Sequence, residues 1–469
     1  MFYFKRAIKQ WIRGGMSMDK NILIGDKKFS GDIKKIFILS WPIMVGMILQ
    51  SLLGTVDTYF IAKIGTNEAA AAALSNSASS VIFVISTLVT AGTIALVSRS
   101  YGEGDMSLVR AFSGQSFFLS LIFGLILSVL CFLNSESIIK LIFSPEPNVA
   151  VLTEKYLSII FIGTIFVFLN SVLRTILQSL GDTLTPLIIF GISNVINAIL
   201  DPIFMFTFHF GIKGAAIATV VAMVFSCITI TIVIIRKIYD SRLNKFILSM
   251  KLQLDISIRI LKIGGWACLQ QLARPITGMF MFSLVYTVGG REGTAAFGIG
   301  GQLFNYTFIF LVGLSTAISI MVGQGLGRGD INGCDKVIKE GLKLAAFNMI
   351  LFSIPYLIFP AEIMSFFIND PLVIKTGAEY LRIVYVGLIF VVYPTIYGGA
   401  FQGSGDTFPP MISSIVANVV LKLPIAYILA KTFRMGTNGV WAAVALSVVI
   451  ESVIIIVYFK TNRWKEKII

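Results

Sequence analysis

Residues 36–62 read IFILSWPIMVGMILQSLLGTVDTYFIA, an apolar run in which Asp57 is the one charged side chain. As a helix rising 1.5 Å per residue, this run is about 40 Å long, enough to cross a ~30 Å hydrocarbon core with some tilt. Runs of the same kind recur near residues 72–98, 112–134, 154–178, 183–208, 212–236, 258–288, 295–322, 341–361, 378–401, 408–430 and 437–459. The reading is an all-α membrane protein of twelve transmembrane helices. Composition agrees: 56 % of residues are hydrophobic and only 13 % charged. A soluble domain carries about 25 % charged residues and could not cover its surface with so few.

The net charge of +14 does not point to nucleic acid, because the basic residues sit in short connectors between apolar runs. With the N-terminus in the cytoplasm, the cytoplasmic segments collect 27 of the 38 Lys/Arg. That total includes a single one assigned between spans 4 and 5. Nine fall outside, and Arg274 and Lys422 lie within spans. That bias places both termini in the cytoplasm of a multi-pass cell-membrane protein. Four cysteines and one histidine form no metal or disulfide pattern. The basic tail, 1–35, does not read as a signal peptide. Phe4, Ile8 and Trp11 stand at helical spacing beside Lys5, Lys9 and Arg13. This segment is either a short amphipathic helix on the membrane surface or an unstructured tail.

The chain repeats itself. Gly102-Glu103-Gly104-Asp105 matches Gly327-Arg328-Gly329-Asp330 at an offset of 225. Gln178-Ser179-Leu180-Gly181-Asp182-Thr183 with Pro186 matches Gln402-Gly403-Ser404-Gly405-Asp406-Thr407 with Pro410 at 224. Asn194-Val195 matches Asn418-Val419, and Gly214 lines up with Gly439. Six spans separate the copies, so both have the same orientation. Parallel repeats of this kind build lobes that rock about a central site. The expected organisation is a tail (1–35), an N-lobe (36–236), a cytoplasmic connector (237–257), a C-lobe (258–459) and a C-terminal tail (460–469). In the repeated loops glycine permits the turn and Asp caps the next helix. Gly323-x-Gly325-x-Gly327 is no nucleotide loop, since it follows a membrane helix and lacks the Lys-Ser/Thr.

Three acids fall inside apolar runs: Asp57, Asp201 and Glu451. A charge at mid-membrane costs roughly 2.5–3.5 kcal/mol on insertion scales, so it needs a reason. Asn194, Asn197 and Asp201 share one helix face. Asp57 belongs to the same half of the same lobe. Two carboxylates, two amides and nearby hydroxyls suit a hard cation, or a carboxylate could carry a proton. The structural alternative is that Asp57 caps a kinked helix end and Asp201 marks the bend at Pro202. Glu451 reads as a hydrogen-bonding residue. Pro42 should kink span 1; that kink either moves when Asp57 is protonated or is inert. In the second lobe Arg274 and Lys422 either pair with Glu451 or face a central cavity and bind anions.

Together these residues resemble the multidrug and toxic compound extrusion (MATE) family of a larger flippase-and-exporter superfamily. Trp41-Pro42, Val56-Asp57-Thr58, Ser98 through Asp105, Gln178 through Pro186 with its copy, and Gly211-Ile212-Lys213-Gly214-Ala215-Ala216 carry the resemblance over residues 30–460. It implies two six-helix bundles about a V-shaped cleft, and export of organic, often cationic, compounds by antiport with H+ or Na+. It implies a coupling site at Asp57, Asn197 and Asp201, joined by position by Tyr156 and Thr219, with Na+ on the first three if sodium is the ion. Acids that another branch places in spans 7 and 10 are missing here. The expected partners are small organic substrates and the lipid bilayer, not nucleic acid. The expected protein is a monomer, no enzyme, and needs no cofactor beyond its coupling ion. Its wide cleft is expected to be lined by Met, Phe and other apolar groups. The alternative within the superfamily is a flippase for lipid-linked saccharides.

Overall fold

The computed structural model describes residues 33–142 and 146–467; the readings of Phe4, Ile8 and Trp11 fall outside them. Long helices account for nearly all of the described chain, and no strand occurs among the described residues. The first lobe contains α1 (Ile33–Ala62), α2 (Thr66–Glu103), α3 (Met106–Leu133), α4 (Pro147–Ser179), α5 (Leu184–Thr207) and α6 (Ile212–Ile238). The second begins with a 74-residue rod, Leu254–Gly327, which Gly290 breaks at φ 57° and ψ −149°. Only a residue without Cβ adopts that backbone freely. The rod is therefore two spans, α7 (254–289) and α8 (291–327). α9 (Ile331–Ile358), α10 (Pro371–Ser404), α11 (Phe408–Thr432) and α12 (Gly436–Lys460) complete twelve.

Backbone detail obeys the repeat. Gly104 and Gly329 end α2 and α8 at φ 80° and 73°, and Asp105 and Asp330 cap the helices that follow. Asp105 accepts from the amides of Ser107 at 2.8 Å and Leu108 at 3.1 Å, and Asp330 accepts from Gly333 at 2.8 Å. The Ser107 hydroxyl, with these amides, holds the exposed Asp105 carboxyl below its ordinary pKa. Gly181 and Gly405 turn at φ 85° and 78°. Both α5 and α11 finish in a π-helical turn, Ile203–Thr207 and Ile428–Thr432. The loops beyond them place His209 and Arg434 at φ 56° and 55°.

Each lobe has its own core. In the second, buried Trp441 stacks on Phe297 with centroids 5.6 Å apart and meets Tyr380 edge-on. In the first, Leu173, Ile176 and Leu177 of α4 pack against Ile230 and Ile234 of α6. The outer face of α3 leaves Leu121, Leu125, Val129 and Leu133 exposed at four-residue spacing, as lipid contact requires. The connector after α6 is held against the first lobe. The Gln115 amide donates to the carbonyls of Ser249 (3.0 Å) and Lys251 (2.5 Å) and accepts from Gln253 N and Ser257 Oγ.

The lobes meet at the end that carries the Gly-Asp loops. A Cβ on Gly102 would land on the backbone of Gln324, and one on Gly327 on the carbonyl of Arg99. Backbones approach this closely only where both helices offer small residues. The Gln324 amide of α8 also donates to the Ser179 carbonyl at 2.8 Å, across the lobes. Gly92 against Ile260 and Gly264 against Leu88 continue the seam toward mid-membrane.

Candidate functional site

Two polar places lie inside the helical bundle. One is within the first lobe. Asp57 of α1 and Asp201 of α5 come from helices that pack side by side, and both are buried, at 8 % and 0 % exposure. The Asn197 amide has one end 3.4 Å from Asp201 Oδ1 and the other 2.9 Å from Asp57 Oδ1. The Thr219 hydroxyl of α6 donates to the Ala215 carbonyl at 3.0 Å and lies 3.5 Å from Asp57 Oδ2. Asn197, fully buried one turn before Asp201, completes the group. With its amide nitrogen toward Asp57 Oδ1 (2.9 Å), its oxygen accepts from the Thr219 N–H at 3.2 Å. In the opposite orientation the nitrogen points to Asp201 Oδ1 (3.4 Å) and Thr219 Oγ1 (3.3 Å), and the amide oxygen faces Asp57. The first orientation gives both ends of the amide a partner and is therefore the one the pocket favours. Tyr156, buried, packs in one cluster with Ile61 and Met205, each one helical turn beyond Asp57 and Asp201 respectively.

Asn194 does not join them. It is two helical turns from Asp201, and its amide donates to the Leu49 carbonyl at 3.2 Å, tying α5 to α1. Asp201 Oδ2 is buried without a hydrogen-bond partner. That orphaned oxygen, with the Asp57 carboxylate nearby, offers hard oxygens that fit a proton or one small monovalent cation. No group of three or more Asp, Glu, His or Cys side chains placed to hold a metal ion occurs among the described residues.

The second place joins α7, α11 and α12. The Arg274 guanidinium lies 3.8 Å from Glu451 Oε1. The Asn418 amide donates to Glu451 Oε2 at 3.1 Å, and Lys422 Nζ donates to Asn418 Oδ1 at 3.5 Å. Both bases thus gather around Glu451. Asn418 sits in a π-helical stretch, Ile415–Leu421, which turns it toward α12. Arg274 also faces the cleft.

The cleft itself is a cavity of about 810 Å³ between the lobes. The larger part of its surface is apolar, with Met47, Phe83, Phe190 and Phe308 among its walls, and Gln50, Gln178, Gln270, Gln271 and Gln402 add amides that the expectation did not include. Neither Asp57 nor Asp201 lines it, although α1 and α5 supply Pro42 through Ser51 and Pro186 through Phe190 to its wall. The α1 helix runs unbroken through Pro42. One cavity residue was hidden in the charge tally. Arg174 is not a connector residue between spans 4 and 5; it lies inside α4 and faces the cavity.

Two six-helix lobes of one orientation, with twinned loops and a cleft between them, define the fold, and a family model decides the kinship. The MatE family model matches residues 42–203 and again 267–428, two copies in the same register as the internal repeat. The chain belongs to the MatE family. Its members are transporters rather than enzymes, and this one is a multi-pass membrane protein. The chain is 27 % identical over 438 residues to the probable multidrug resistance protein NorM of Thermotoga maritima, covering 92 % of this chain and 93 % of that one. It is 24 % identical over 462 residues to multidrug and toxin extrusion protein 1 of Homo sapiens, covering 93 % and 76 %. The solved outward-facing structure of a multidrug resistance MATE transporter superposes with a TM-score of 0.84 at 23 % identity, over 92 % of this chain and 95 % of that chain.

Proposed function

We propose that this MatE protein is a secondary multidrug exporter that moves small organic compounds out of the cell against H+ or Na+. The observation that carries the reading is the buried Asp57–Asp201 pair, in a lobe whose helices also wall the cleft. The multidrug-resistance and extrusion names of its relatives agree with it. Two carboxylates in one low-dielectric pocket repel each other unless a positive charge sits between them. Binding H+ or Na+ there, on Asp57, Asp201 and Asn197 beside Thr219 and Tyr156, lets α1 and α5 draw together. Release forces them apart. Since the cleft-facing part of α1 begins at Pro42, which leaves the helix one hydrogen bond short, α1 bends there and changes the cavity. Ion and substrate thus compete through the same two helices, which is the requirement for antiport.

In this reading both termini and the Gly-Asp loops are cytoplasmic, the N-lobe carries the coupling site, and the protein works as a monomer in the cell membrane without nucleic acid. Arg274, Lys422 and Glu451 serve the second lobe and do not bind the coupling ion. The experiment is substitution. Asp57→Asn and Asp201→Asn keep shape and volume but remove the charge. Each protein should reach the membrane in normal amount and lose gradient-driven efflux. Normal efflux from both would end the coupling model.

A further inference from the structure

The cavity's charge is one-sided. Among the residues that line it there is no Asp or Glu, and its charged residues are Arg174 and Arg274, one from each lobe. Arg174 lies over the face of Phe190 at 4.9 Å and has a 3.4 Å hydrogen bond to the Asn170 carbonyl of its own helix. Among the described residues it makes no ion pair. A guanidinium offers five N–H donors, so most of its capacity is unused. Arg274 is similarly stacked, over Phe308 at 5.2 Å. Its carboxylate partner, Glu451, is 3.8 Å away and shares its surroundings with a second base, Lys422. The local charge therefore stays positive on both walls.

We propose that the cavity binds an organic anion: a carboxylate, sulfonate or phosphate ester attached to an apolar body. The anionic group takes the planar donors of Arg174 and Arg274, a geometry for which guanidinium is suited. The apolar body lies against Phe190 and Phe308, and the glutamine amides adapt to its remaining polar atoms. An organic cation entering the same space meets two like charges and no acid. This assignment rests on the exporter reading above and departs from its cationic substrates. It also explains the separation of tasks: the acids that hold the coupling cation stand outside the cavity, so ion and substrate do not neutralise each other.

The test uses the whole protein in phosphatidylcholine vesicles with an imposed H+ or Na+ gradient. Three probes are compared: carboxyfluorescein, ethidium and a fluorescent phosphatidylglycerol. Export of carboxyfluorescein is expected. The ratio of its rate to that of ethidium should fall about tenfold or more in Arg174→Gln, the loss of a charged hydrogen bond. Arg274→Gln should lower the same ratio, and either variant suffices if the other does not fold. Ethidium transport without carboxyfluorescein transport, or a ratio unmoved by both substitutions, overturns the anion site and leaves the exporter standing. Arginine-dependent movement of phosphatidylglycerol alone supports the anion site, identifies a lipid head group as its source, and overturns the export of soluble compounds. If none of the three probes moves, both readings fall.

Discussion

Asp57 and Asp201 are held against one Asn197 amide by two helices, α1 and α5, that also form a wall of the central cavity, yet neither carboxylate is part of that wall. Their shared position makes their contributions inseparable. If one bound ion serves both, Asp57→Asn and Asp201→Asn should not add: the double variant should be no slower in gradient-driven efflux than the worse single. Groups acting as a unit behave this way. Additive losses would mean two independent sites.

Glu451 should be structural. It is 2 % exposed and carries the Asn418 hydrogen bond and the Arg274 ion pair. Removing one partner of a fully buried pair costs about 3–5 kcal/mol. Arg274 is 34 % exposed, so solvent screens it and roughly 1–3 kcal/mol is expected for Glu451→Gln. Thermal unfolding in detergent should show a lower midpoint, and an added Arg274→Gln should recover part of the loss.

The glycine seam should control which state the lobes adopt. Gly102→Val puts branched carbons where the Gln324 backbone lies, so the loop ends cannot close as they do here. Transport should drop. A Ser51→Cys label in the cavity, with the four native cysteines replaced by alanine, should react more slowly with a membrane-impermeant maleimide from the far side.

The C-terminal turn fastens the loop end. Trp464 is fully buried and stacks on Phe459 at 5.3 Å. Just after it Lys465 pairs with Asp335 at 2.8 Å, and Lys467 pairs with Asp406 at 3.1 Å. The Lys467 carbonyl accepts from Arg99 of the other lobe at 2.7 Å. Trp464→Ala should cost about 3–5 kcal/mol by the usual measure of an aromatic deleted from a core. Calorimetry should detect it, and proteolysis should begin at the loosened tail.

The spans and the repeat were legible because apolar length and turn chemistry are local properties. Gly104-Asp105 and Gly329-Asp330 behave as their sequence says, a left-handed glycine followed by a capping acid. Asp57 and Asp201 stood out because a charge in an apolar run is costly. What stayed hidden depends on how helices are turned against each other. Arg174 lies only four residues before Gln178 at the end of a span, where position along the chain cannot distinguish a connector from a cavity wall. Asn194 shares a face with Asn197 and Asp201, but seven residues of helix rise separate it from Asp201 by about 10 Å. The glutamine, serine and threonine share of the mostly apolar cleft could not be seen either, because these residues are scattered over both lobes.

The central claim is coupled export, and its most direct test is efflux from proteoliposomes containing the unaltered protein. An H+ gradient and a Na+ gradient are imposed separately, with carboxyfluorescein and ethidium as probes. The account predicts that one of the two gradients drives at least one probe outward, and that collapsing it with the matching ionophore stops the flow. Probe movement at the same rate with and without a gradient, or none under either, would contradict it.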